Sequence, residues 1–324
     1  MKYLNVTKYI GAASLIAFSF ISCEDSIDKD NLPVPYPEIG GYTNSDEIAA
    51  DHLVAKFSFE NNLSDQTGNI TGAVGNVAYT DGIKGKAYNG SSTEEKYVVA
   101  NASSAITSLN AYTIAFWLNS AGTVAANPPG QGKGAQGIFT IVRPTEFWGG
   151  INIFIENPDS NYPDRIRLKL SVENGREGIS WKGQGVIANI DNMKNKWVHV
   201  VLSYDPKTSK LFVFVNGEPA GNLDGFAYSP PGGAQGYATW FASDPGGLDN
   251  PNNASGYGDF QMVGTNGRIV LGNHQFETDP PENNGSHQDW ATSFAGKLDE
   301  FRIYNTTLPA SDIIALYQLE KNGR

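Results

Sequence analysis

The chain has 324 residues, 18% of them charged, and a formal net charge of −11. Such a surface repels phosphate backbones and anionic lipid, which argues against nucleic acid and leaves neutral glycans or cations as partners. A single cysteine rules out a disulfide framework, so the fold must hold through its core.

The first 22 residues read as an export signal. Lys2 and Lys8 form a basic start, and Ile10 to Ile21 is an apolar run without an acid, too short for a stable membrane span. It ends in Phe20-Ile21-Ser22-Cys23, which resembles the lipobox of bacterial lipoproteins, with Phe20 in place of the usual Leu. The resemblance implies lipidation of Cys23. Removing Lys2 and Lys8 leaves 21 basic against 34 acidic residues, a net charge of −13. Residues 23–50 read as a tether. Glu24 to Asp30 is acidic, Pro33, Pro35 and Pro37 favour an extended chain, and Gly40-Gly41 follows. The acids after Cys23 resemble the surface-export signals of Bacteroidota lipoproteins, and Asp25-Ser26-Ile27 resembles an O-glycosylation motif of that phylum. Both imply a lipid-anchored, surface-exposed protein of the outer membrane.

Residues 51–324 are expected to form one domain, long enough to bury roughly 75% of its unfolded surface. Strand follows strand. Leu53 to Phe59 alternates, and Tyr112 to Leu118 sets Ile114 and Phe116 against Ala115 and Trp117. Ile138 to Val142, Ile151 to Ile155, Ile166 to Val172, Trp197 to Tyr204, Leu211 to Val215, Ile269 to Leu271 and Leu298 to Tyr304 continue the series. Asp205-Pro206-Lys207 marks a turn, and Asn216-Gly217 a type I′ hairpin. One short helix is expected at the end, with Pro309 at its first position and Ile313, Leu316 and Tyr317 on one face. Such a pattern is an all-β sandwich or jelly roll.

Four segments in order are similar to the laminin-G-like branch of the concanavalin A-like lectin/glucanase superfamily. They are Leu53 to Asn69, Tyr112 to Ser120, Lys196 to Gly221 with its Trp197-Val198-His199-Val200 core, and Gly296 to Tyr317 with Asp299-Glu300-Phe301-Arg302-Ile303-Tyr304. The resemblance implies a two-sheet antiparallel jelly roll. It also implies a structural calcium ion near the meeting of first and last strands, where Glu60 and Asp299 are the candidate ligands; the alternative is that each carboxylate accepts backbone N–H groups. His199 is expected to be a packed, hydrogen-bonded core residue. Asp299 shares a side with Phe301 and Ile303 and needs a partner there.

Other motifs carry less. Gly132-Lys133-Gly134-Ala135-Gln136-Gly137 matches GxGxxG, but Pro128-Pro129-Gly130 precedes it and a strand follows, which is the wrong setting for a nucleotide. Pro230 to Gly236 echoes it without a physical reason we can give. The glucanase triplet Glu-x-Asp-x-x-Glu is absent, Glu173 to Glu177 having the wrong spacing, and neither GxSxG nor HExxH occurs. His274, Glu277, Asp279, Glu282, His287 and Asp289 crowd one segment that Pro280-Pro281 and Asn283-Asn284-Gly285 mark as a solvated loop. Two insertions, 119–150 and 222–262, stand out. The second holds Phe226, Tyr228, Tyr237, Trp240, Phe241, Tyr257 and Phe260. These rings either pin the insertion to the sandwich or form a platform for sugar rings. On the second reading Trp240 leads, Tyr237 and Tyr257 follow, and Trp148 is the opposing wall. The function expected is a non-catalytic glycan-binding or adhesion module. The alternatives are a glycoside hydrolase or polysaccharide lyase with an atypical site, and a structural subunit of an outer-membrane uptake complex alongside a transporter.

Overall fold

A computed structural model describes residues 36–91, 93–124, 134–173, 183–225, 236–239 and 258–324. Two nine-stranded, almost wholly antiparallel sheets lie face to face. Sheet 1 runs β13-β12-β11-β6-β18-β4-β3, with β1 beside β18 and β15 beside β12. Sheet 2 runs β14-β10-β9-β8-β7-β16-β5-β2, with β17 beside β7. The expected strands appear as β1 (Leu53–Phe57), β6 (Tyr112–Asn119), β7 (Ala135–Ile141), β8 (Ile151–Ile155), β9 (Ile166–Glu173), β11 (Trp197–Asp205), β12 (Lys210–Val215), β16 (Arg268–Leu271) and β18 (Lys297–Tyr304). Others carried too little apolar alternation to be read: β2 (Ile70–Gly75), β3 (Ala78–Asp81), β4 (Lys86–Asn89), β5 (Val98–Ala102), β10 (Gly183–Ile190), β13 (Glu218–Pro219), β14 (Leu223–Gly225), β15 (Tyr237–Thr239) and β17 (Ala291–Ser293). Val215 pairs with Glu218 across Asn216-Gly217, whose φ values of 52° and 81° are those of the expected I′ turn.

Alternation decides what lies between the sheets. Ile114, Phe116, Val198, Val200 and Leu202 face inward from sheet 1, and Ile151, Ile153, Ile155, Leu168 and Leu170 from sheet 2. Phe301 touches Phe116 (ring centroids 5.7 Å apart) and Phe139 (4.9 Å), so one ring joins both layers. Burying each such ring stabilises the fold by about 1.5–3 kcal/mol. The outer face of sheet 1 is covered by α2 (Ala310–Lys321), whose Ile313, Leu316 and Leu319 pack on Ala115, Val201, Phe214 and Tyr304. Pro309 is the cap of α2 and not its first residue; its carbonyl accepts from Asp312 and Ile313. A one-turn helix, α1 (Ser104–Thr107), sits between β5 and β6.

Three expectations need correction. The folded unit begins at Glu38, so residues 38–50 belong to it and not to a tether. Ile48 is buried with α2, and Asp46, in a short 3-10 turn, binds Arg302. The alternation of β18 breaks at Glu300, which has φ 44° at a register shift between Asp299 and Arg302. Phe301 and Ile303 therefore face the core, while Asp299 turns toward the β3–β4 hairpin and Arg302 lies under α2. His199 is buried as expected, yet neither ring nitrogen has a hydrogen-bond partner among the described residues; Nε2 is 3.7 Å from Glu320.

Arg302 is fully buried and joins three elements. Its Nε donates to Glu320 Oε1 (2.8 Å), Nη1 to Asp46 Oδ1 (2.7 Å), and Nη2 to Glu300 Oε2 (2.7 Å) and Ser45 Oγ (3.1 Å). Lys56 adds a 2.6 Å bond to Asp46, and Trp117 donates to Glu320 Oε2 (2.8 Å). Burial alone would raise Asp46, but Arg302 and Lys56 outweigh it and hold the carboxyl at about 2. Arg302→Ala is expected to cost about 3–5 kcal/mol in urea unfolding, because it strands buried carboxylates. A loss under about 1 kcal/mol would show that the cluster is not holding the fold. The paired change Arg302→Met with Glu320→Leu should recover most of the loss.

Candidate functional site

The outer face of sheet 2 gathers the chemistry. On β8, Asn152 and Phe154 point away from the core, and on β9 Arg167 and Lys169 do the same. Trp148 stacks on Phe154 (5.4 Å, 9°), and Phe147, Phe276, Trp290 and His274 close around it. Phe147 keeps 37% of its surface exposed, and Trp148 and Trp290 are half-buried. Lys169 Nζ lies 5.2 Å from the Phe154 ring centre and 3.2 Å from Glu156.

Two amides position this group. Gln275 Nε2 donates to the carbonyls of Arg143, Glu146 and Phe147, and its oxygen accepts from Arg143 N (2.9 Å). Asn283 Nδ2 donates to Glu146 and Phe147. The turn that carries Phe147 and Trp148 is thus fixed from 130 residues downstream. The segment expected as a solvated loop is therefore half buried: Asn273 to Thr278 lie beneath the rings, and only from Asp279 onward is the chain largely exposed. Gly137 allows this approach, since a Cβ there would stand 2.3 Å from the Asn273 carbonyl carbon. The GxGxxG glycine at this position serves backbone packing.

His274 is stacked on Phe276 (4.9 Å, 12°) and fully buried, out of reach of a polymer in solution. Burial pushes it down to about 3 against a backbone hydrogen bond at Ala135, with the charge of Lys169 adding to the fall. Burial and then Arg302 push His199 to about 3 as well.

Of the sugar-platform residues, Tyr237 and Trp148 do not converge. Tyr237 pairs with Phe212 on sheet 1, its ring 5.7 Å from Phe212 and 4.0 Å from Lys210 Nζ. Phe212 faces the α2 side, whereas Trp148 covers the outer face of sheet 2, so Trp148 cannot be the opposing wall to Tyr237. Strand alternation puts the two rings on opposite outer surfaces. Phe260, another ring of the insertion, packs on Tyr112 (5.1 Å). Trp240 and Tyr257 lie outside the described residues.

Glu60 and Asp299 both reach the β3–β4 turn. Asp299 Oδ2 accepts from Ile83 N (2.8 Å) and Lys84 N (3.1 Å), and Oδ1 from Glu300 N (2.8 Å). Glu60 accepts from Lys86 N. Gly82 and Gly85 leave no room for a Cβ beside these carboxylates. Burial, then the charge of Glu300, raises Asp299 to about 7 despite its N–H donors. This is the backbone-capping arrangement. Among the described residues no group of three or more His, Cys, Asp or Glu could hold a metal ion. The carboxylates cap backbone N–H groups in this fold, and a calcium ion beside them stays a proposal. The melting temperature is expected to be the same in EDTA and in millimolar calcium; a rise with calcium would establish the ion.

The two buried histidines set a pH dependence. Each stays neutral in the fold down to about pH 3, against an ordinary value of 6.5. The unfolded chain takes up both protons first, so the histidines' own contribution to stability is full above about pH 6.5 and falls as pH drops toward 3. Each histidine contributes about 1.4 kcal/mol per pH unit across that window. Asp299 and Glu320, both raised to about 7 by burial, act with the opposite sign over the same window, so the histidine contribution is read by difference. In urea unfolding at pH 7, 6 and 5, His199→Phe should lose about 1.4 kcal/mol less than wild type per pH unit below about 6.5.

The sequence matches a laminin G family, described as the concanavalin A-like lectin/glucanases superfamily, over residues 92–259, just over half of the chain. Among solved structures, domain 4 of an extracellular arabinanase of glycoside hydrolase family 43 from Geobacillus stearothermophilus, in complex with arabinotriose, is 20% identical; the match covers 82% of this chain and 98% of that one at a TM-score of 0.48. The binding domain of Paraclostridial Mosquitocidal Protein 1 is 15% identical over 82% of this chain and 52% of its own, with a TM-score of 0.50. The binding domain of botulinum neurotoxin DC, in complex with rat synaptotagmin II, is 14% identical over 83% and 52%, with a TM-score of 0.49. The chain spans about half the length of these two toxin domains. Comparison with curated proteins returned no match. The two-sheet sandwich and the family match agree, and the chain belongs to the laminin-G-like branch of the concanavalin A-like lectin/glucanase superfamily.

Proposed function

We propose that this protein is a non-catalytic carbohydrate-binding or adhesion module, held at the cell surface by a lipid on Cys23 in the outer membrane. The observation that carries the reading is the ring group on the outer face of sheet 2, where Phe147, Trp148 and Trp290 keep surface open beside Lys169 and Glu156. Aromatic faces take the apolar faces of sugar rings while charged and amide neighbours take hydroxyls. Family membership supports a lectin-type role without fixing it, since one fold hosts many functions. Trp240 and Tyr257 extend the proposal to the 222–262 insertion.

A glycan array probed with the soluble protein tests the reading directly. Trp240→Ala is expected to weaken binding to the captured glycan by roughly 1–2 kcal/mol with an unchanged melting temperature. Equal affinity at equal stability would remove Trp240 from the site. No binding on the array, together with co-purification of a transporter, would favour the structural-subunit reading. Shortening of a polysaccharide during incubation would favour the enzymatic one.

Anchoring rests on the lipid. Each buried methylene contributes about 0.8 kcal/mol, and a single chain holds a protein only marginally. Cys23→Ala is expected to move the protein from the membrane to the soluble fraction, and a variant that still sediments with membrane would refute the anchor.

A further inference from the structure

Among the described residues, Tyr162 is a large ring left 52% exposed in the connection between β8 and β9. Arg165 lies against it, the guanidinium carbon 3.8 Å from the ring centre. Arg165 is itself buried by its partners: Nε and Nη2 fork onto Asp191 (2.6 and 3.0 Å), and Nη1 reaches Asp159 (3.2 Å). Lys194 Nζ donates to the Pro163 carbonyl, which ties the 161–165 turn to the 191–195 turn a second time. Between the two turns is a pocket of about 340 Å³, lined by Tyr162, Arg165 and Asp191 with the amides of Asn161 and Asn192. Asp191 also lines an adjoining pocket of about 330 Å³, with Asn189, Asn216 and Asn222. Asn189 is 8% exposed, and its side-chain oxygen has no hydrogen-bond partner among the described residues. A buried acceptor left unmet calls for a donor.

We infer that the pocket between Tyr162 and Asp191 is a subsite for a neutral pyranose unit, and that the adjoining pocket receives the next unit of the same chain. The inference rests on the glycan-binding reading and gives it a second place on the molecule. The ring supplies a stacking face, and the carboxylate and amides supply partners for hydroxyls. Pairing fixes these groups before any ligand arrives, which lowers the ordering cost of binding. Charge selects the class. Asp159, Asp164 and Asp191 still outnumber Arg165 and Lys194, and the whole chain is acidic, so uronates and sulfated sugars are disfavoured. Arg165 is already committed to two carboxylates and is not available to reverse that balance.

The test is calorimetric titration of the full chain carrying Cys23→Ala with maltose, cellobiose, lactose and laminaribiose, their monosaccharides, and a uronate disaccharide. At least one neutral disaccharide is expected to bind about tenfold tighter than its monosaccharide and than the uronate, a difference of about 1.4 kcal/mol. Tyr162→Ala should lose about tenfold, and Tyr162→Phe should stay within about twofold, because the ring and not the hydroxyl makes the contact. Should Tyr162→Ala melt early, Tyr162→Leu keeps apolar cover over Arg165 and carries the same comparison. If wild type binds and Tyr162→Ala binds equally while Trp240→Ala does not, the pocket is refuted and the glycan-binding reading stands. Preference for the uronate, or equal affinity for mono- and disaccharide, overturns the assignment. No binding of any sugar by wild type overturns both.

Discussion

Arg302 has no route to water, and every part of the sandwich that touches it is arranged around that fact. A buried guanidinium is tolerated only when its donors are met by carboxylates in good geometry. Here they come from the N-terminal turn, from β18 itself and from α2. Sheet 1 therefore cannot form its outer face without recruiting the helix, and the helix cannot dock without Glu320 among apolar Leu316 and Leu319. The bulge at Glu300 belongs to the same constraint. It lets β18 send both Leu298 and Phe301 into the core with Asp299 and Glu300 between them, which strict alternation would forbid.

On the opposite sheet the governing interaction is stacking. Trp148 on Phe154 extends an apolar surface outward from β8, and it covers the chain near residue 274. Neutral His274 is a consequence, since no charged ring could be held among four aromatic neighbours without a counter-ion. The pocket at Tyr162 lies on another principle. There the ring is left open and the charges around it are paired, so polarity is presented and not hidden.

The strands and their partition were legible because alternation is a local property. Ile114 and Phe116 against Ala115 and Trp117, and Asn216-Gly217 at a turn, needed no distant partner to be understood. What escaped was long-range. Asp46 meets Arg302 across 256 positions, so residues 38–50, rich in Gly and acids, read as a tether. His274 to Thr278 read as solvated because Pro280-Pro281 and Asn283-Asn284-Gly285 follow them; the rings that cover them come from Phe147 and Trp148, and Gln275 meets carbonyls of the same turn. Left-handed Glu300 had no signal, since the residue is not one that seeks that backbone region. Tyr162 was passed over in a polar turn. Its one trace was an aromatic residue inside Asn161-Tyr162-Pro163-Asp164, where no core face called for one.

The clamp at Asp46 also fixes how the domain bears load. Tension applied through the residues ahead of Glu38 meets Ile39 and Tyr42, packed against the α2 cluster, and then the 3-10 turn that holds Asp46, ahead of β1 in the chain. It meets the bonds to Arg302 and Lys56 before it reaches the ladder between β1 and β18. Those ion pairs are anchored in the layer between sheet 1 and α2, so the pull is spread over a helix and two strands instead of peeling one edge. A drag force on the domain would therefore be resisted by the contacts beneath α2, apolar and ionic, before it reached the sheet.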